Sequence, residues 1–232
     1  MGSNHKVKAN LQTAIIKNVS VSDHEKDRKR DDVRFQFAPF VSLIVKKHMV
    51  LDLIKSRRSV FPAQYNGEEI KEAEIKTILG AANWAPTHRR TEPWRFKVLQ
   101  GDSIGKLADF LADTYKEKTE NPSDFKYKKY KTNPRKAGCV IAICMQRDLN
   151  EVIPEWEEIA ATAMAVQNMW LVAHEMKIGA YWSSPALVKY TEGFFDLNKG
   201  ERCLGFLYMG KYDAQFVAGN RNSTIEEKTV WM

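Results

Sequence analysis

Cysteine is scarce. The 232 residues hold three, Cys139, Cys144 and Cys203, in no CxxC pair. Each sits in an apolar run, so they read as buried free thiols of a reducing compartment, and neither a disulfide framework nor a structural zinc is expected. Long apolar runs are also missing. The longest uninterrupted one, Cys139 to Met145, falls far short of the ~20 residues needed to cross a bilayer, so a soluble, cytoplasmic chain with no membrane partner is expected. There is no GxGxxG after a strand, no GxxxxGK[ST], no HExxH and no GxSxG. Rossmann dinucleotide binding, P-loop hydrolysis, zincin chemistry and the hydrolase elbow all lose support, and no metal site is expected.

Charge of one sign is lacking over most of the chain. The formal charge is +7, but residues 1–50 hold ten Lys/Arg against five Asp/Glu, and the rest holds 26 against 24. A nucleic-acid partner, which needs a basic face interleaved with stacking aromatics, is not expected. The run Asp23 to Arg34 is densely charged and the first 35 residues carry few large apolar side chains, so residues 1–48 read as a flexible charged N-terminal arm. The acids within it exclude an import presequence, and Phe40 to Val45 is too short for a secretory core.

Residues 49–232 have ordinary globular usage, within an overall 44% apolar and 28% charged, and are long enough to bury a core without staples. The spacing of Leu51, Ile54, Lys55, Arg57 and Arg58 predicts a short helix ending in two cations. Glu68 to Ala85 is amphipathic and stops before Pro86. Trp94 to Leu99 alternates as a strand, and Asp102 to Lys118 returns to helical periodicity. Residues 119–136 read as a mobile helix or flap. Cys139 to Met145 is a strand covered on both faces. A long helix is expected from Pro154 to Gly179, apolar almost all the way round and therefore covered on nearly every side. Strands at Ala180 to Trp182 and Cys203 to Met209 flank a short helix from Ala186. The order of elements gives an α+β fold.

Five clusters carry candidate chemistry: Arg57-Arg58-Ser59, Ala85-Pro86-Thr87-His88, Pro93-Trp94-Arg95-Phe96, Trp182-Ser183-Ser184-Pro185 and Leu204 to Gly210. Two guanidiniums and a hydroxyl suit a phosphomonoester, although the same tripeptide at a helix end also suits a cation pair complementing the helix dipole. Glu157 and Glu158 read as charges complementing a helix N-terminus, and Arg89, Arg90 and Arg95 as cations open to solvent or to a nicotinamide phosphate.

In this order and spacing the clusters resemble the FMN-dependent nitroreductase family, in its small branch with an RRS motif followed by an APxH loop, over residues 50 to about 212. The resemblance implies a central, mostly antiparallel sheet wrapped by helices and an intertwined homodimer with its site at the interface. It implies FMN as cofactor and NADH or NADPH as reductant. It implies binding of FMN by Arg57, Arg58, Ser59, Trp84, His88, Ser183, Ser184 and Pro185, with His88 supplied from the second subunit. Relatives often carry Arg where Ser183 stands, and Lys211 is a candidate replacement for that charge. The implied reaction passes hydride from NAD(P)H through flavin N5 to a small-molecule electron acceptor, a nitroaromatic, quinone or enone, in two half-steps, with no catalytic side chain. Phe125, Tyr127 and Tyr130 are candidates to close over the acceptor. Flavin fragmentation, dehalogenation and non-catalytic flavin binding are the alternatives.

Overall fold

Four antiparallel strands form one sheet in the order β1-β2-β4-β3, where β1 is Trp94–Leu99, β2 Cys139–Gln146, β3 Ile178–Ser183 and β4 Glu201–Lys211. The structure is a computed structural model that describes residues 49–216 and 219–232. Asp52–Met232 forms one compact unit, and the arm expected over 1–48 lies outside the described residues. Residues 49–56 are helical.

β2 explains why the sheet has helices on both sides. Its side chains alternate between two cores: Cys139, Ile141 and Ile143 enter one, Val140, Ala142 and Cys144 the other. A strand with both faces buried reads as a continuous apolar run, and each fully buried isoleucine contributes about 1.5–3 kcal/mol. The first core is closed by α1 (Glu72–Ala82) and α4 (Glu155–Glu175), through Ile75, Ile78, Ala161, Val166 and Met169. The second is closed by α2 (Asp102–Lys118), with α3 (Asp124–Thr132) and the short α5 (Glu192–Phe195) packed on it. The chain thus adopts the expected α+β arrangement of a wrapped antiparallel sheet.

Two helices are shorter than the periodicity predicts. α1 starts at Glu72 and not at Glu68, because Asn66 accepts from the Glu68 amide at 3.0 Å and holds the chain in a turn, while Ile70 is fully buried in the core. The start is instead fixed by Glu74, whose Oε2 accepts from the Lys71 amide at 2.8 Å. α4 ends at Glu175 and not at Gly179: Lys177 turns into the left-handed region at φ 59, and Gly179 belongs to β3. The outward side of α4 is left open within the chain, where Trp156 and Met164 are exposed. Residues 119–136 hold α3 and a 3-10 turn at Pro134–Lys136; Tyr127 and Tyr130 pack on the second core, whereas Phe125 is exposed. Among the described residues no helix is long and apolar enough to cross a membrane. The three cysteines are free and buried, and burial pushes the Cys139 thiol up to about 12, out of the reactive range.

Candidate functional site

The segment carrying Arg57, Arg58 and Ser59 is laid along the outer edge of β3. Ser59 makes a parallel bridge with Ala180, and the Val60 amide donates to the Ala180 carbonyl at 3.0 Å. Glycine at 179 permits this approach: a Cβ there would lie 2.7 Å from Val60 Cβ and 2.9 Å from Tyr212 Cδ1, closer than carbon atoms pack. At the far end of the same strand Ser183 stands opposite Phe206, Ser184 is exposed, and Pro185 caps the 3-10 turn Ala186–Tyr190. The indole of Trp182 and the Ser183 carbonyl rest on Gly205, where a side chain has no room. Three residues of strand place Ser183 about 10 Å along β3 from Ala180. The strand edge therefore joins a cationic end to a hydroxyl-bearing end.

The cationic end gathers more than the RRS tripeptide. Arg57 is half-buried, with Cζ 4.6 Å from the ring centroid of Trp170 on α4. Its Nη1 is buried without a hydrogen-bond partner, a state that costs about 1–3 kcal/mol or more until an acceptor arrives. Burial, followed by the charges of Arg221 and Arg58, holds the Arg57 pKa below the ordinary arginine value. Arg58 donates from Nη1 to the carbonyls of Lys55 at 2.7 Å and Arg57 at 2.8 Å, and Gly219 lies against its guanidinium. Arg221 is thus a third guanidinium at this corner. Sequence reasoning missed it, since a single arginine in the irregular stretch after β4 carries no periodic or motif signal. Beneath the corner, His174 of α4 lies 2.9 Å from Ser56 through Nε2. Because the Ser56 hydroxyl donates to the Leu53 carbonyl at 3.1 Å, it accepts from His174 Nε2–H.

Trp84 and His88 lie elsewhere. Trp84 follows the end of α1 and is 86% exposed. His88 sits in a tight turn where Arg89, Arg90 and Glu92 have φ of 50, 56 and 42. Thr87 fixes that turn through contacts of its Oγ1 with Thr91 Oγ1 and the Glu92 amide, both at 3.2 Å. The His88 ring meets Glu157 at the N-terminal end of α4, Nδ1 to Oε2 at 2.5 Å. Glu157 therefore does more than face a helix dipole. So does Glu158, which is buried, pairs with Arg147 and accepts from the Asp148 amide at 2.9 Å.

Six of the predicted residues thus share the β3 edge, His88 is held at the opposite end of α4, and Trp84 stands beside the middle of that helix, where its amide and Asn168 Nδ2 both donate to the Ala81 carbonyl at 3.3 Å. Lys211 does not replace an arginine at Ser183. It pairs with Ile178 at the other end of β3, and its Nζ is 3.1 Å from Glu74 Oε1. A groove of about 630 Å³ lined by Tyr127, Lys128, Lys131 and Arg135 lies on α3 and contains none of the predicted residues.

A profile of the Nitroreductase family matches residues 54–211. YfhC of Bacillus subtilis (strain 168), described by its name as an NAD(P)H nitroreductase, is 31% identical over 174 residues, which cover 73% of this chain and 88% of YfhC. YdjA of Escherichia coli (strain K12), named in the same way, is 27% identical over 69% of this chain and 86% of its own length. Among solved structures, the nitroreductase-like family protein from Bacillus cereus is 28% identical with a TM-score of 0.69, covering 79% of this chain and 95% of that one. The FMN-dependent nitroreductase NfnB of Mycobacterium smegmatis, solved with NADPH, shares the fold at 15% identity and a TM-score of 0.65, over 80% of this chain and 99% of NfnB. A wrapped antiparallel sheet, an RRS segment on its edge and a family match spanning both place this chain in the nitroreductase family.

Proposed function

We propose that the chain is an FMN-dependent oxidoreductase that takes hydride from NAD(P)H and delivers it to a small electron acceptor of the nitroaromatic, quinone or enone class. The observation that carries the reading is the buried, unpartnered Nη1 of Arg57 beside Arg58 and Arg221. The charges of Arg221 and Arg58 act against that of Arg57, and a multiply charged anion beside Arg57 would offset them. A phosphomonoester, with about −1.5 to −2 charge and three acceptor oxygens, satisfies both needs. The names of the relatives and the NADPH complex of NfnB support the choice of cofactor and reductant.

FMN supplies the hydride chemistry when bound, and the chain supplies the binding frame. Arg57, Arg58, Arg221 and the Ser59 hydroxyl hold the phosphate. Ser183, Ser184 and Pro185, about 10 Å along β3 from Ala180, would hold the rest of the cofactor. Gly179 and Gly205 let Val60 and Trp182 pack closely against that edge, and placing donors in advance lowers a barrier without reorganisation. No side-chain nucleophile is needed.

The separation of His88 from Arg57 favours a two-chain site. On α4, Glu157, which holds His88, and His174, which holds Ser56, are seventeen residues apart. At 1.5 Å per residue this is about 25 Å, too far for one flavin to meet both His88 and Arg57 in one chain. A homodimer in which one protomer gives Arg57–Ser59 and Ser183–Pro185 and its partner gives Trp84 and His88 brings the sets together. It also covers exposed Trp84, Trp156 and Met164. The activity resides in residues 49–232, so removal of residues 1–48 leaves turnover unchanged.

Purified protein is expected to be yellow, to release FMN on denaturation and to bleach anaerobically with NADPH or NADH. Replacing Arg57 and Arg58 together by Ala leaves the circular dichroism spectrum intact and weakens FMN binding about 100-fold or more, from about 1.5–3 kcal/mol per charged hydrogen bond. Unchanged affinity in that variant would remove the site assignment.

A further inference from the structure

We propose that His174 is a phosphate-responsive positioning residue: hydrogen-bonded to Ser56 beside Arg57, it takes up a proton when the FMN phosphate binds, and so tightens flavin binding toward acid pH. The inference rests on the flavin reading above and adds a residue that contacts the guanidiniums' neighbour and not the phosphate.

The geometry comes first. His174 Nε2 donates to Ser56 Oγ at 2.9 Å, and that hydroxyl donates onward to the Leu53 carbonyl at 3.1 Å. The imidazole is thereby locked with Nε2 protonated, and an incoming proton goes to Nδ1. One turn earlier on α4 the Trp170 ring carries the Arg57 guanidinium, Cζ to centroid 4.6 Å. His174 and Trp170 therefore form one helix face on which the predicted phosphate-binding segment sits.

The charges around the ring then set the sign. From its own helix His174 faces Glu175 and from the turn after it Lys177; from the segment along the β3 edge it faces Arg57 and Arg58, with Arg221 beyond Arg57. Burial acts first, and then Lys177, Arg57 and Arg58 outweigh Glu175, so the His174 pKa lies below the ordinary histidine value and the ring is neutral at pH 7 without ligand. A phosphate dianion cancels the repulsion of the arginines. The His174 pKa must then rise, and by linkage the protonated protein must bind phosphate more tightly.

The test compares wild type with His174→Gln, which keeps a donor to Ser56 and cannot ionise. FMN affinity is measured by flavin fluorescence quenching at pH 5.5 and pH 8.5. FMN's own phosphate titrates near pH ~6, but it does so equally for both proteins, so the ratio of their dissociation constants isolates His174. The ratio of variant to wild type is expected to be about tenfold at pH 5.5 and close to one at pH 8.5, within the usual range of coupling between sites. With riboflavin, which lacks the phosphate, it stays near one throughout. A second measurement uses the unaltered protein: the Cε1–H resonance of His174 is titrated with and without FMN, and its midpoint is expected to rise when FMN is bound. A ratio that does not change with pH, or a midpoint that does not rise in a protein that binds FMN, overturns the role of His174 and leaves the flavin reading standing. Failure to bind FMN at every pH overturns both.

Discussion

Glu157 and His174 stand about 25 Å apart on α4, and each fastens a different piece of the candidate site, the first through His88 and the second through Ser56. One helix therefore fixes both the cationic corner and the histidine corner, in a spacing that no single flavin bridges within one chain.

This spacing makes the two-chain site testable by mixing subunits. A protomer carrying Arg57→Ala and Arg58→Ala lacks one corner, and a protomer carrying Trp84→Ala and His88→Ala lacks the other. Each homodimer is expected to bind FMN poorly, whereas co-refolded heterodimers regain one complete site, about half the wild-type flavin content per dimer. Flavin content after separation of the species by differently charged tags measures this. No recovery in the heterodimer would mean that the two corners act on different ligands.

Arg221 extends the phosphate site beyond the RRS tripeptide. Arg221→Ala is expected to weaken FMN about tenfold or more, in line with loss of one charged hydrogen bond, while leaving riboflavin affinity unaltered. Equal losses for both flavins would place Arg221 away from the phosphate. The comparison needs only fluorescence titration.

Gly179 is the residue that allows the RRS segment to approach β3. Gly179→Ala forces Val60 and Tyr212 outward, and overpacking of this kind costs about 1–3 kcal/mol. A fall in thermal midpoint together with a weaker grip on FMN is expected, because the displaced segment carries Arg57 to Ser59. A variant that loses stability but binds FMN normally would show that the edge tolerates the shift.

Acid sensitivity has a named source. Burial would raise the Glu201 pKa, but hydrogen bonds from Lys97, at 3.0 Å, and from the amide and side chain of Asn198 outweigh it, so the carboxyl stays below its ordinary value. A carboxyl depressed on folding adds stability above its unfolded pKa of 4.5 that is lost as pH falls through the lower folded value. Between pH 7 and 3 the midpoint of wild type is expected to fall more steeply than that of Glu201→Gln, which is less stable than wild type at pH 7. Parallel curves in a thermal scan would assign the acid transition to other carboxyls.

The parts of this protein legible in its sequence are those set by local pattern. The run Cys139 to Met145 announces a strand buried on both faces, and the order of RRS, APxH and WSSP points to the family. The parts not legible depend on distant chain. The end of α4 at Glu175 follows from the need for Gly179 in β3 against Val60, which periodicity does not register. The late start of α1 reflects Asn66 holding Glu68. The convergence of Arg221 on Arg57 joins residues far apart in sequence, and the pairing of Lys211 with Glu74 holds away from Ser183 the lysine that sequence alone makes a candidate replacement for the relatives' arginine.

Because α4 is held at both ends, its length is a calibrated dimension of the protein. One residue added near Ala165 would twist the His174 end by about 100° relative to Glu157 and lengthen the rod by about 1.5 Å. Neither corner would lose a functional group, yet their alignment would be gone. A one-residue insertion or deletion in α4 should therefore cost flavin binding even though it leaves every named side chain in place.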